Sequence, residues 1–461
     1  MLLRRFVTPG LSINSYLLCD EVVKKGIMID PVRQADAYIA RALQDEIEIT
    51  DIIETHVHSD FLSGALDLKQ ALMGKPVIHC SGMGGTEWIP AYADHVVHHL
   101  EDIQVGSIRL RPLHTPGHTP EHLIWIVFDT TRCSDVPEIA FTGDLLFVGA
   151  IGRPDLLGKK WQDDLMVQLY QSIFATLYNL EDFIEIFPAH GAGSLCGKIM
   201  SMRESSTLGF EKKCNPALRK LSFELWKEEL LQDLGAVPHY FQRIKQMNLQ
   251  GPKPTSGHLP IFLDVEQLKQ LAGNCLLVDT RSPAAFTNHY EGSINLPFNR
   301  SFSIYAAVAL PEDHPIVLIV ETAANVMEIL NALSLIGIDR IEGIFTADQW
   351  QNAKTPLKKL PVIDVETLHK NISDYFILDV RTLGEWQSAR IDQAHHIELA
   401  NVLDALDQLP KNSPLAIICR VGNRSSMVAS LLAKQKGFQP VNVAGGMQAW
   451  MQANLPLVAK N

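Results

Sequence analysis

The segment Thr55-His56-Val57-His58-Ser59-Asp60 decides how the N-terminal half of the chain folds, since it offers three metal-binding side chains at alternate positions. It directly follows the apolar stretch Asp51-Ile52-Ile53-Glu54, which is typical of a short β-strand. Where a strand gives way to a loop, side chains at alternate positions can point into one space. The segment therefore predicts a metal site at the end of a strand.

Three further segments of the same kind follow along the chain. They are Thr115-Pro116-Gly117-His118-Thr119, Phe141-Thr142-Gly143-Asp144 and Pro188-Ala189-His190-Gly191. Each follows an apolar strand-like stretch and has Gly or Pro beside its His or Asp, as when a rigid sheet presents ligands on loops. Imidazole and carboxylate ligands suit zinc, iron or manganese. Other histidines of the region are interpreted as structural: His79, His95, His98, His99, His114 and His122.

The order of these four segments resembles that of the metallo-β-lactamase superfamily over roughly the first 200 to 250 residues. The resemblance implies an αββα sandwich with metal at one edge, and it leaves the reaction open, because this fold serves hydrolases and redox enzymes alike. Dinuclear members have a histidine after the motif aspartate, where this chain has Phe61. Because phenylalanine has no lone pair, we expect one metal, held by a subset of His56, His58, His118 and Asp144. Two histidines and one carboxylate would leave open positions, as in non-haem iron(II) oxygenases.

A second local motif, Gly149-Ala150-Ile151-Gly152-Arg153-Pro154-Asp155, is similar to a segment of persulfide dioxygenases. By that resemblance, His56, His118 and Asp144 hold one Fe(II) per chain, with zinc as the alternative metal. His58, Asp60 and His190 then orient these ligands. Arg153 and Asp155 are expected to bind substrate. The alternative is a turn closed by an ion pair between those two side chains.

Cys196 follows His190 along a Gly-rich loop, which should keep it near the metal. Lys198 could favour its thiolate, so we include Cys196 among the candidate catalytic residues. The alternative is a small buried core residue, which is the usual role of a free cysteine.

The C-terminal half contains an internal repeat. Leu276-Leu277-Val278-Asp279-Thr280-Arg281 recurs as Ile377-Leu378-Asp379-Val380-Arg381, and Trp350 and Trp450 keep the same offset. In both copies short apolar strands alternate with helical stretches, which predicts two doubly wound α/β domains with parallel sheets. Asp379 and Arg381 are expected to be structural.

In the second copy, the strand Leu415-Ala416-Ile417-Ile418 leads into Cys419-Arg420-Val421-Gly422-Asn423-Arg424-Ser425. A short loop from a strand into a helix directs backbone N–H groups inward and makes an anion cradle. Residues 362–461 resemble a rhodanese sulfurtransferase domain. The resemblance implies that Cys419, Arg420 and Arg424 are catalytic and that Gly422 and Ser425 bind substrate. The first copy has Glu321 in place of the thiol, so we interpret it as inactive, serving to pack the domains or to form a homodimer.

Composition sets the remaining limits. The chain has 461 residues, 46% of them hydrophobic, which at about 100–200 residues per domain predicts two to four domains. The expected domains are 1–250, 261–355 and 362–461. A net charge of −12 argues against a nucleic-acid partner. No apolar run approaches the roughly 20 residues that span a bilayer, and the scattered cysteines do not form a disulfide framework, so we expect a cytoplasmic protein without a membrane partner.

Joined in one chain, the two resemblances imply a persulfide dioxygenase that oxidises a low-molecular-weight persulfide with O2 to sulfite. The persulfide would be that of glutathione, coenzyme A or a similar thiol. Cys419 would exchange sulfane sulfur with sulfite to give thiosulfate. The alternatives are a metal-dependent thioester hydrolase similar to glyoxalase II and a non-catalytic persulfide carrier.

Overall fold

The first sheet is built from strands at the N-terminal end of the chain. The computed structural model describes residues 1–197, 200–232, 234–235, 237–255, 259–311, 313–350 and 357–459. The strands of this sheet, paired in chain order, are β1 (Leu2–Thr8), β2 (Ile13–Asp20), β3 (Lys25–Ile29), β4 (Glu48–Ile53), β5 (Val77–Ser81) and β6 (His95–Val97). The first three are antiparallel, and β3 to β6 run parallel.

A second sheet follows. Its strands, with a short hairpin inserted after the fourth, are β7 (Ile103–Val105), β8 (Ile108–His114), β9 (Leu123–Asp129), β10 (Ile139–Gly143), the hairpin strands β11 (Leu146–Phe147) and β12 (Ala150–Ile151), then β13 (Glu185–Pro188) and β14 (Ser206–Thr207). The spatial order is β14-β13-β10-β9-β8-β7, with β10 and β13 parallel. The helices of this half are α1 (Ala35–Gln44), α2 (Ala65–Ala71), α3 (Lys159–Gln171), α4 (Leu208–Cys214), α5 (Phe223–Leu231) and α6 (Tyr240–Gln250).

Strand β9 shows how the layers form. Its residues alternate between two cores: Leu123 and Trp125 pack between the sheets, whereas Ile124 and Ile126 face outward against α3 and α5. This period of two is what a strand covered on both faces requires. The expected αββα sandwich is confirmed.

The C-terminal half contains two parallel sheets. The first copy of the repeat has α7 (Val265–Leu271), β15 (Leu276–Asp279), α8 (Pro283–Phe286), β16 (Asn288–Tyr290), β17 (Ile294–Asn295), α9 (Phe302–Ala309), β18 (Ile316–Val320), α10 (Val326–Ser334) and β19 (Ile341–Thr346). Its sheet has the order β17-β15-β18-β19, while β16 pairs with β20 (Leu357–Lys359).

The second copy repeats this plan with one more strand in its sheet. Its elements are β21 (Val362–Ile363), α11 (Val365–Lys370), β22 (Phe376–Asp379), α12 (Leu383–Ser388), β23 (Ala389–Arg390), β24 (His395–His396), β25 (Pro414–Ile418), α13 (Asn423–Ala433), β26 (Gln439–Val443), α14 (Gly446–Gln452) and β27 (Val458–Ala459). The sheet order is β21-β26-β25-β22-β24, all parallel, and β23 pairs with β27. Helices α7 and α11 begin alike, capped by Asp264 and Asp364.

The chain divides into two units, residues 1–256 with 334–337 and residues 257–333 with 338–461. The second copy of the repeat lies in the second unit, and so does the first copy apart from residues 334–337. Residues 351–356 and 460–461, at the ends of the expected second and third domains, lie outside the described residues. Among the described helices, none is long and apolar enough to cross a membrane.

Candidate functional site

Three of the expected metal ligands meet at one edge of the sandwich. His56 lies just beyond β4, His118 lies in the loop between β8 and β9, and Asp144 follows β10. All three are buried, and one ligand atom of each lies within 4.8 Å of the others. His118 Nε2 is 3.3 Å from Asp144 Oδ2, and His56 Nε2 is 3.9 Å from the same oxygen.

The other ring nitrogen of each histidine fixes which nitrogen faces Asp144. His56 Nδ1 lies 2.9 Å from Thr55 Oγ1, and His118 Nδ1 donates to the backbone carbonyl of Arg153 at 3.0 Å. Burial lowers the pKa of both histidines, which keeps them neutral with a lone pair on Nε2. Among the described residues, His56 Nε2 and Asp144 Oδ2 have no hydrogen-bond partner. Two neutral imidazoles and a carboxylate oxygen with no partner form a donor set that fits a divalent metal ion.

His190 orients Asp144. Its Nδ1 donates to Asp144 Oδ1 and its Nε2 to Asp60 Oδ2, both at 2.8 Å. Burial alone would lower the pKa of His190, but the carboxylates of Asp144 and Asp60 raise it well above its usual range. Burial alone would likewise raise the pKa of Asp144, but the imidazoles of His190 and His118 hold it well below. His190 is therefore an imidazolium between two carboxylates, leaving Oδ2 of Asp144 to face the two neutral rings.

His122, which the sequence analysis assigned to a structural role, holds the backbone of Asp144. The Asp144 N–H donates to His122 Nε2 at 3.0 Å, and His122 Nδ1 lies 3.0 Å from Thr115 Oγ1. Burial lowers the pKa of His122 to about 3, so that it stays neutral. Gly143 has φ +49°, and a Cβ there would lie 2.5 Å from His122 Nε2. The only sequence signal for this contact was the position of His122, between the loop that contains His118 and strand β9.

His58 turns away from these three donors. Its Nε2 lies 3.2 Å from Asp30 Oδ1 and 3.7 Å from Glu54 Oε2, and its ring packs on those of His56 and Phe61. Burial alone would lower the pKa of His58, but Asp30 raises it, while burial raises the pKa of Glu54 to about 8. Sequence reasoning missed Asp30 and Glu54. Only the structure shows that β3 and β4 are parallel neighbours, whose carboxyl ends meet at one edge.

Cys196 lies beside the metal donors, in a group with Asp60 and His190 whose ligand atoms are within 4.8 Å of one another. The Arg153 N–H donates to the Cys196 carbonyl at 3.1 Å, which joins the two loops. Burial and the carboxylates of Asp60 and Asp144 raise the pKa of Cys196 well above that of a free thiol, which disfavours the expected thiolate, and a catalytic role of Cys196 stays a prediction. Lys198, which was expected to favour the thiolate, lies outside the described residues.

Arg153 and Asp155 form the ion pair that the sequence analysis gave as the alternative. The guanidinium donates to both carboxylate oxygens at 2.7 Å and to the Gly235 carbonyl at 2.7 Å. Because the Arg153 carbonyl accepts from His118, the segment positions a metal donor through its backbone. Gly152 is required there, since a Cβ would lie 1.9 Å from the Asp144 carbonyl oxygen. Substrate binding by Arg153 and Asp155 stays a prediction.

In the second repeat, Cys419 lies buried at the end of β25. Its Sγ accepts a hydrogen bond from the Gly422 N–H at 3.1 Å and lies 3.3 Å from Ser425 Oγ. Gly422 has φ +99°, the left-handed conformation that turns the loop into α13. The loop thus directs a backbone donor and a hydroxyl at the sulfur, as expected of an anion cradle.

The two arginines of this loop differ. Arg424 forms a two-bond ion pair with Glu385 at 2.7 and 2.8 Å, and Glu385 raises the pKa of Arg424 although burial opposes the change. Arg420 is exposed. Glu385 therefore balances one of the two charges that were expected to favour an anion. The sequence analysis gave Glu385 no role.

The first repeat keeps the scaffold and has other side chains at the loop. Glu321 is exposed, and Thr322 Oγ1 accepts from the Ala324 N–H. Asp379 and Arg381, which were expected to be structural, form a buried ion pair at 2.7 Å. Asp279 and Arg281 form the same pair in the first repeat, also at 2.7 Å.

Comparison with known proteins gives two family matches. Residues 8–190 match the Metallo-beta-lactamase superfamily, and residues 364–453, which include Cys419, match the Rhodanese-like domain. The crystal structure of a metallo-beta-lactamase from Staphylococcus aureus is 34% identical, with a TM-score of 0.68, and covers 75% of this chain and 99% of its own.

Two curated relatives are similar over about half of the chain. A hydroxyacylglutathione hydrolase-like protein of Mus musculus is 30% identical over 50% of this chain and 74% of the relative. The mitochondrial persulfide dioxygenase ETHE1 of Bos taurus is 29% identical over 47% of this chain and 76% of the relative. The chain therefore belongs to the metallo-beta-lactamase superfamily. It combines that fold with a rhodanese-like domain in its C-terminal half.

Proposed function

We propose that the chain is a cytoplasmic non-haem Fe(II) persulfide dioxygenase coupled to a sulfurtransferase. The convergence of His56, His118 and Asp144 carries the proposal, because two histidines and one carboxylate leave open positions at a metal for both persulfide and O2. The relative named persulfide dioxygenase and the rhodanese-like match around Cys419 support it. The seven free cysteines agree with a reducing compartment.

In this proposal His56, His118 and Asp144 would hold one iron. Bound there, Fe(II) would supply the redox chemistry that the reaction of the terminal persulfide sulfur with O2 needs. The side chains around it have separate tasks: His190 and Asp60 keep Asp144 oriented, and the Arg153 carbonyl keeps the His118 ring in place. The net reaction is RSSH + O2 + H2O → RSH + SO3²⁻ + 2 H⁺, where R is glutathione, coenzyme A or a similar thiol carrier.

The second step takes place at Cys419. A persulfide donor would transfer its outer sulfur to the Cys419 thiol and leave as RSH. Sulfite would then attack that outer sulfur, so that a new S–S bond forms in thiosulfate and the Cys419 thiolate leaves. Gly422 N–H and Ser425 Oγ, both within reach of Sγ, would stabilise the negative charge on sulfur.

The second candidate is a metal-dependent thioester hydrolase. The hydroxyacylglutathione hydrolase-like relative favours it. It predicts two metals per chain and activity without O2, and the group Asp60, His190 and Cys196 offers donors for a second ion. Phe61 stands against it, since the histidine of dinuclear members is missing, and His190 has both nitrogens engaged by carboxylates.

The test is O2 consumption by anaerobically iron-loaded protein supplied with glutathione persulfide, with zinc-loaded protein as the control. We expect O2 uptake with iron, none with zinc, and one metal per chain. Thioester hydrolysis by protein with two metals, without O2 uptake, would support the hydrolase instead. Stoichiometric labelling of Cys419 by persulfide sulfur without turnover would support a non-catalytic persulfide carrier.

A further inference from the structure

A side chain of the first copy of the repeat belongs to a hydrophobic core cluster of the second. Phe286, at the end of α8 in the first copy, is fully buried. It belongs to the same cluster as Cys419, Ile417 and Val428 of the second copy. The strand that ends at the thiol and the helix that follows it are therefore packed against a side chain from the first copy.

Asn295 links the first copy to helix α13 of the second. Its side-chain oxygen accepts a hydrogen bond from Ser426 Oγ at 2.6 Å, and its backbone N–H donates to Ser430 Oγ at 2.9 Å. Its Nδ2 donates to the carbonyls of Asp279 and Arg281 at 3.1 and 3.0 Å. Asn295 and Ser426 are fully buried, so these bonds are shielded from competing water.

Ser426 lies in the part of α13 that shapes the sulfur loop. Its N–H donates to the Gly422 carbonyl at 3.1 Å, and its neighbour Ser425 places Oγ 3.3 Å from Cys419 Sγ. A bond that fixes Ser426 therefore fixes the turn that directs both donors at the thiol. The fixed end of the bond is Asn295, anchored on β15 and β17 of the first copy.

Tyr305, on α9 of the first copy, lies in the same surroundings. Burial raises its pKa, the positive charge of Arg424 opposes that rise, and Cys419 and Glu385 add to it. Val308 and Ala309, at the end of α9, line a small cavity with Met427 and Val428 of α13. The first copy thus contacts α13 from both β17 and α9.

We propose that the first repeat, although its own loop has Glu321 in place of the thiol, positions the sulfur loop of the second, and that Asn295 is the positioning residue acting through Ser426. The inference deepens the proposed function, because it rests on Cys419 being a sulfurtransferase thiol. It gives the inactive copy a task within the reaction, in place of the packing or dimer role expected from the sequence.

The test compares two contacts between the repeats at opposite ends of α13. Ser426→Ala and Asn295→Ala remove the bond at the loop end. Lys434→Ala removes the bond from Lys434 Nζ to the Gly292 carbonyl, 3.0 Å long, beyond the other end of the helix. Sulfur transfer from thiosulfate to cyanide is measured on the full chain, with kcat and KM separated, together with urea unfolding.

We expect kcat to fall about 10-fold in Ser426→Ala and Asn295→Ala, while their KM stays within about twofold of wild type. Both kcat and KM of Lys434→Ala should stay within about twofold of wild type. The double variant Asn295→Ala/Ser426→Ala should be no slower than Asn295→Ala, because both remove the same bond. Equal kcat in Ser426→Ala and wild type, or an equal fall in Lys434→Ala, would overturn the inference.

If the wild-type protein transferred no sulfur to cyanide, that result would count against the proposed sulfurtransferase activity. Failure of the proposed function can thus be distinguished from failure of the positioning inference. In that case the alkylation rate of Cys419 by iodoacetamide, followed by mass spectrometry of its peptide, tests positioning without turnover. Positioning predicts a changed rate in Ser426→Ala and an unchanged rate in Lys434→Ala. The same rate in Ser426→Ala and wild type would overturn it.

Discussion

At the scale of single residues, Asp144 has two oxygens with different partners. Oδ1 is held by His190, while Oδ2 faces His56 and His118 with no hydrogen-bond partner in the described part of the chain. The direction of Oδ2 thus depends on His190, which forms a hydrogen bond to the proposed metal ligand Asp144. Such outer partners orient the ligands and thereby tune metal affinity.

His190→Asn should therefore weaken iron binding by about 10–100-fold, because a carboxamide cannot bridge Asp144 and Asp60 as the imidazolium does. The affinity is measured by competition with a chromophoric chelator under anaerobic conditions. The matched control is His98→Ala, which removes an exposed histidine paired with Glu101 at 3.3 Å. An iron affinity in His190→Asn equal to that of the control would show that Asp144 needs no partner on Oδ1.

Sequence reasoning could select the side chains that stand in short motifs, and the structure brings His56, His118 and Asp144 together. It could not select the partners that reach the site from elsewhere. Asp30, which faces His58, and Glu385, which faces Arg424, carry no local pattern, and their contacts exist only after strands and helices have packed. The raised pKa of Cys196 could not be predicted from the sequence either, since it depends on burial and on the nearby carboxylate of Asp60.

At the scale of elements, the repeat allowed the parallel sheets to be predicted, because β15, β18, β22 and β25 are apolar runs long enough to show a pattern. The strand order could not be predicted, since it depends on two-residue strands such as β17 and β24, which have no periodicity of their own. Strand β15 of the first copy and β22 of the second both end at the aspartate of the same buried ion pair between aspartate and arginine. This pair marks the common scaffold of both copies.

Removing one partner of such a pair should be costly. Asp379→Ala should destabilise the second unit by about 3–5 kcal/mol, because Arg381 would stay buried without its counter-charge, and Asp279→Ala should act alike in the first copy. Urea unfolding followed by tryptophan fluorescence measures the change. Asp374→Ala, at an exposed aspartate, is the control and should change stability by less than about 0.5 kcal/mol. A loss below about 1 kcal/mol in Asp379→Ala would mean that hydrogen bonds of Arg381 to backbone carbonyls suffice.

At the scale of the whole molecule, the chain joins a metal donor set in one unit to a thiol in the other. The proposed reactions share only diffusible compounds, persulfide and sulfite, so each unit can be changed while the other is read out. This separation makes the division of labour testable with a single substitution.

Cys419→Ser should leave O2 uptake unchanged and shift the product from thiosulfate to sulfite. The reason is that the metal donors are untouched, whereas a serine oxygen cannot carry sulfane sulfur to sulfite. Both products are quantified by chromatography after derivatisation with a bimane, alongside the rate of O2 uptake. Cys133→Ser, at an exposed cysteine, is the control and should keep both the rate and the thiosulfate. Loss of O2 uptake in Cys419→Ser alone would mean that the thiol takes part in the oxidation, and the two-step sequence proposed for this chain would be wrong.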